Sequence, residues 1–189
     1  TAGVIGNKGG KVSFKLGMRG LATAGSAAAV ADPALSRLLL ASGFSETLDT
    51  GTTVSGTIST DSVVNVASAA GITVGGMIMI GTEARFVTAR DTVSPPNTGS
   101  VAPAFTAAPT TAGVVVYASA LYRPSDASPG TCSLMAHGDG HKYWATGCRG
   151  ALKISTLTAR ARAMLDFSFD VDSWTYNSEP SSTKPALTV

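Results

Sequence analysis

The segment ARARAMLDFSFDVD, residues 159–172, decides how the rest of the chain reads. Ala161, Ala163, Leu165, Phe167, Phe169 and Val171 alternate with Arg160, Arg162, Met164, Asp166, Ser168, Asp170 and Asp172. A period of two belongs to a strand with one buried face. Carried over about twelve residues at about 3.3 Å each, the strand would span roughly 40 Å, longer than usual. Its polar face runs from two arginines to three aspartates. Such a face is either solvated or built for head-to-tail stacking, the positive end of one copy meeting the negative end of the next.

A second stretch follows the same pattern. In KVSFKLGMR, residues 11–19, Val12, Phe14, Leu16 and Met18 alternate with Lys11, Ser13, Lys15 and Arg19, which predicts another half-buried strand. Residues 20–31 are a small-residue loop, and DPALSRLLLASGF, residues 32–44, then reads as a complete short helix. Asp32 suits the N-cap, Pro33 the first helical position, and Gly43 the left-handed residue that ends a helix. Leu35, Leu38 and Leu39 share a face with Arg37 off it, and Phe44 is placed to fold back on the last turn. These four apolar residues are the candidates for packing the helix onto a sheet.

Between residues 52 and 119 the pattern breaks into short β-branched runs separated by glycine and proline. Residues 77–80 and about 85–89 form an expected hairpin around Gly81 and Thr82. Residues 94–113 are expected to be a long loop, because Pro95, Pro96, Pro103 and Pro109 forbid regular pairing. Residues 52–119 therefore read as an inserted, outward-facing β subdomain. The segments 1–51 and 120–175 form one discontinuous core domain, and 176–189 a C-terminal arm of disorder-like composition. Within the second core segment, Gly138, Asp139 and Gly140 mark a turn between two strands, and a third strand starts near Ala151.

Composition narrows the function. With 14% charged and 6% aromatic residues in 189, the chain is built from small, weakly charged residues, a mixture that suits β-rich assemblies whose subunits cover one another. A net charge of +2 with no Lys/Arg run gives no concentrated face for nucleic acid. The longest apolar stretches, such as residues 112–122, are too short to cross a bilayer, so the expectation is an unexported chain without a membrane span. HGDGH at 137–141 clusters metal-type side chains, but His137 and His141 flank a turn and fall short of three or four converging ligands. GNKGGK at 6–11 lacks the ending and following helix of a phosphate loop, and no nucleophile elbow or zinc-protease motif occurs. Neither an enzyme nor a cofactor is expected. Cys132 is expected to pair near Thr146, leaving Cys148 diagonal to it and both thiols reduced.

Four stretches taken in order carry a resemblance. GKVSFKLGMRG, DPALSRLLLASGFSET, LYRPSDASPGTCSLMAHGDGHKYWATGCRGALKIS and LDFSFDV follow one another as in the tail tube proteins of long-tailed bacteriophages. The matching positions are Pro33, Leu35, Leu38, Leu39, Ala41, Gly43 and Phe44, then Tyr122, Pro124 and Ser125. Asp139 and Gly140 follow, then Gly147 to Gly150, and last Phe167 and Phe169. The segment 52–119 departs from the family, which often has only a short link there.

The resemblance implies a mainly β fold, a tail-tube-like β-sandwich or barrel with one short flanking α-helix, assembled as six copies to a ring and stacked into a tube. It further implies a virion tail location after assembly in the host bacterial cytoplasm. Partners would be further copies of the chain, the terminator, tape-measure and distal tail proteins, and double-stranded DNA in transient passage. Asp166 and Asp170 become lumen candidates in a bore expected to be poor in basic residues, and Arg160, Arg162 and Asp172 become inter-ring candidates. A tail terminator or neck ring would share fold and charge but not stack. A carbohydrate-binding β-sandwich would need an exposed aromatic platform, whereas Trp144 and Trp174 fall in or beside expected core strands.

Overall fold

The computed structural model describes residues 9–17, 28–29, 31–56, 59–93, 96–125, 127, 130–138, 141–155 and 163–178. Among the described residues it is mainly β, with one α-helix. In chain order the elements begin with β1 (Gly10–Gly17), α1 (Pro33–Ala41), β2 (Phe44–Leu48), β3 (Thr52–Thr53) and β4 (Val63–Asn65). There follow β5 (Met77–Ile80), β6 (Glu83–Asp91), β7 (Thr98–Ala102), β8 (Val115–Ala118) and β9 (Ala120–Pro124). The chain continues through β10 (Cys132–Gly138), β11 (His141–Ser155), β12 (Met164–Val171) and β13 (Ser173–Ser178). Two compact units result, one from Thr1–Gly20, Pro33–Ser45 and Pro124–Val189, the other from Leu21–Asp32 and Glu46–Arg123. The second unit is wider than residues 52–119, and β2 and β9 pair as a two-stranded ribbon where the chain passes between units.

In the first unit the sheet order is β1-β12-β11-β10, with β13 also on β11. The register of β12 and β13 against β11 is continuous, from Ser155↔Met164 to His141↔Ser178. They are thus two parts of one partner strand, divided at Asp172. Fifteen residues of β11, about 50 Å at about 3.3 Å per residue, form one arm of a long hairpin. The separate third strand expected from Ala151 is the second half of β11. Residues 176–178 belong to β13, not to an arm, and 179–189 lie outside the described residues.

Inward residues change phase at the division. On β11 the apolar side carries Tyr143 and Ala145 before it, and Cys148 and Leu152 after it. Gly147 adopts φ 66°, the left-handed region, and supplies an extra residue opposite β10 between the pairs Leu134↔Ala145 and Cys132↔Cys148. A bulge of this kind bends a strand and sharpens its twist, and only glycine enters that conformation without strain. The sheet therefore curls.

Leu165, Phe167, Phe169 and Val171 of β12 are buried on the inner side of the curl. Phe14 of β1 stacks on Phe167 at 5.4 Å between ring centroids and lies 6.0 Å from Phe169. Helix α1 packs on β10 and β11. Leu38 and Leu39 are buried, and Leu35 and Phe44 are half-buried. The helix stops where Gly43 takes φ 83°, with its N–H donating to the Leu40 carbonyl.

The second unit is a six-stranded sheet in the order β3-β8-β5-β6-β7-β4. Its end strands meet through the antiparallel bridge Val54↔Val66, and the Ala67 N–H donates to the Thr53 carbonyl at 2.8 Å, so the sheet closes on itself. Val54, Val64, Val66, Ile78, Val87, Val101 and Val116 fill the interior with Ile72 and Phe105, as a narrow barrel requires. The expected loop over 94–113 contains a strand, β7, bonded to both β6 and β4. The prolines flank residues 97–102 and leave their N–H groups free to join both ladders. Buried Asp49 is satisfied by the Thr73 N–H at 2.9 Å and hydroxyl at 2.6 Å.

Phe167 is 1% exposed between two other rings. Phe167→Ala is expected to lower unfolding free energy by about 3–5 kcal/mol in urea titrations. Ile154→Ala, 52% exposed in the same sheet, is expected to cost clearly less.

Candidate functional site

The outer face of the first unit's sheet carries the aspartates singled out by the sequence. Strand β12 is laddered on both sides, and each polar row across the three strands is set by register. One row reads Lys11, Asp170, Arg149; the next Ser13, Ser168, Ala151; the third Lys15, Asp166, Lys153. Each aspartate thus stands between two cations. Directly opposed residues in an antiparallel pair lie close enough for their side chains to meet.

The two aspartates differ in setting. Lys15 Nζ is 3.4 Å from Asp166 Oδ2, and the Ser155 hydroxyl donates to Asp166 Oδ1 at 3.0 Å. The Asp166 side chain is 25% exposed. Lys11 Nζ is 3.6 Å from Asp170 Oδ1, where both side chains are more than three-quarters exposed. Between these rows Ser13 donates to Ser168 at 3.3 Å. The face holds four cations and two carboxylates, so it is not poor in basic residues. Sequence reasoning missed Lys11, Lys15, Arg149 and Lys153 as partners of Asp166 and Asp170. A signal was present: all three pairs are spaced four residues apart, which keeps each pair on one strand face.

Asp172 is exposed at the division between β12 and β13, apart from these rows, and its N–H donates to the Thr146 carbonyl at 3.2 Å. A Cβ on Gly147 would collide with its carboxylate. Arg160 and Arg162 lie outside the described residues, and β12 begins at Met164 instead of near 160. The side chains of His137 and His141 and the turn residues Asp139 and Gly140 also lie outside them. Among the described residues no group of three or more His, Cys, Asp or Glu side chains could hold a metal ion, and no helix is long and apolar enough to cross a membrane.

The opposite side of this sheet is apolar and partly open. Leu16, Leu165 and Ile154 form one row across it, with Leu16 and Ile154 exposed and Leu165 buried. Farther along, Val12, Phe14, Leu134, Ala136, Tyr143 and Trp174 line an open groove of about 360 Å³. On the other face of β10 and β11, Trp144 and Met135, register partners, are exposed, and Lys142 Nζ sits 5.5 Å from the Trp144 ring centroid.

No protein family, curated protein or solved structure matches this chain.

Asp166→Asn leaves Lys15 and Lys153 facing each other across β12. It is expected to cost about 0.5–1 kcal/mol in urea titrations at low salt, more than Asp170→Asn, and the difference should shrink in 1 M NaCl.

Proposed function

We propose that the chain is a structural subunit that assembles with copies of itself into stacked rings, a tube of the kind built by tail tube proteins of long-tailed bacteriophages. The observation that carries this reading is the incomplete cover of the first unit's curled sheet. Leu16, Ile154, Met135, Tyr143 and Trp144 are each 38–54% exposed. Among the described residues β1 and β10 are the outer strands of the sheet order. Outer strands and open apolar surface invite further chain, and a ring of copies satisfies both.

In this reading the second unit decorates the assembly, and DNA passes through the bore. Terminator, tape-measure and distal tail proteins are the further partners, with the virion tail as location. Asp166 and Asp170 serve the bore as screens. Set between cation pairs, each carboxylate competes with phosphate for Lys11, Lys15, Arg149 and Lys153, so that DNA slides without being held. An aromatic sugar platform is less well supported. Tyr143 and Trp144, as neighbours on one strand, point to opposite faces.

Negative-stain electron microscopy of the purified protein across a concentration series is expected to show stacked rings or hollow tubes. Single rings that never stack would favour a terminator, and monomers at every concentration would overturn the reading. The double variant Asp166→Asn, Asp170→Asn is expected to retain double-stranded DNA on a filter at 50 mM salt and release it by 200 mM, while the parent retains none. Equal retention would remove the two aspartates from the bore.

A further inference from the structure

Cys132 and Cys148 are directly opposed across the β10–β11 ladder, not diagonal as the regular hairpin register predicts. The extra residue at Gly147 shifts β11 by one position and brings the second cysteine opposite the first. The shift decides the chemistry available. Opposed residues of an antiparallel pair have Cα atoms about 4.5–5.5 Å apart, whereas diagonal ones are about 7–8 Å apart. Disulfides need about 4.4–6.8 Å. Both side chains also share a face: Cys132 has the parity of Leu134, which lines the apolar groove, and Cys148 is inward after the phase change.

Both are free thiols, Cys148 fully buried and Cys132 half-buried. We propose that Cys132 and Cys148 form a reversible intrachain disulfide, a site of covalent modification by oxidants of the disulfide class such as glutathione disulfide. Cys132, the more accessible, reacts first. Its thiolate attacks one sulfur of glutathione disulfide, forming the Cys132–glutathione bond and releasing one glutathione thiolate. The Cys148 thiolate then attacks the Cys132 sulfur, closes the protein disulfide and expels the second glutathione. Two electrons pass from the cysteines to the oxidant, and the two thiol protons end on the two glutathiones.

Burial, then the charge and thiol of Cys148, push the Cys132 thiol up to about 11. Burial also raises Cys148, against the Leu134 N–H directed at its sulfur. The thiolate is therefore scarce at neutral pH, and the reaction is slow there and faster in alkali. The bond would tie the outer strand β10 to β11 beside the bulge, whether or not the chain assembles as proposed above.

The test is oxidation of the folded protein with glutathione disulfide at pH 9, followed by unfolding, alkylation and intact mass. The expected product is a single chain lighter by about 2 Da, with no alkylatable thiol and a peptide linking the two cysteines. Its initial rate should rise about tenfold per pH unit from pH 8 to 10. Cys132→Ser is expected to keep Cys148 unmodified under the same oxidant. A lasting glutathione adduct on Cys132 beside a free Cys148, a chain-to-chain disulfide, or two thiols surviving a dose that oxidises the unfolded chain would each overturn the proposal.

Discussion

Strand β12 is paired on both edges from Met164 to Asp170, and the first unit depends on that double ladder. Its position between β1 and β11 fixes three residues per row on each face. One face collects Phe14, Phe167 and Phe169 into a stacked cluster. The other is forced to place Asp166 and Asp170 between cations. The apolar face supplies most of the stabilisation, since burying an aromatic side chain outweighs an exposed ion pair several-fold. The charged rows contribute chiefly to register. A slip of β12 by one residue would turn Phe167 and Phe169 to the opposite face, and a slip of two would carry Lys15 from Asp166 to Ser168, losing the ion pair while keeping the apolar match.

Much of this architecture is written locally. The alternation in residues 164–171, the stop at Gly43 and the turn at Gly81 and Thr82 each rest on a few neighbouring residues. Three features are not local. The phase change at Gly147 cannot be read from alternation, because a bulge is a relation between two strands, and a glycine flanked by polar and small residues looks like a turn. Strand β7 is masked by its proline neighbours, although its own residues can bond on both sides. The closure of the barrel joins Val54 to Val66, and nothing in either run names the other. Of the candidate site, the aspartates were legible and their cations were not. Charge pairing across strands follows from register, and the alternation within one strand does not state its register against another.

The two units handle their sheet margins in opposite ways. In the second unit the bridge between β3 and β4 leaves no outer strand in the order. In the first, β1 and β10 end the order among the described residues. Low charge is compatible with solubility when edges are closed, and becomes a drive to associate when they are open.

The ribbon of β2 and β9 has a consequence for how this chain can vary. Residues 46 and 123, the ends of the longer of the second unit's two segments, lie on two strands that pair with each other, and hydrogen-bonded strands run about 4.8 Å apart. A segment entered and left through adjacent strands works as a socket. A hairpin of a few residues could close the same gap, and so could a different closed barrel, with no change in the path of the strands that carry the charged rows. Length variation in a lineage of such chains would accumulate at this socket, while the residues between Gly10 and Gly17 and between Met164 and Val171 would hold their spacing.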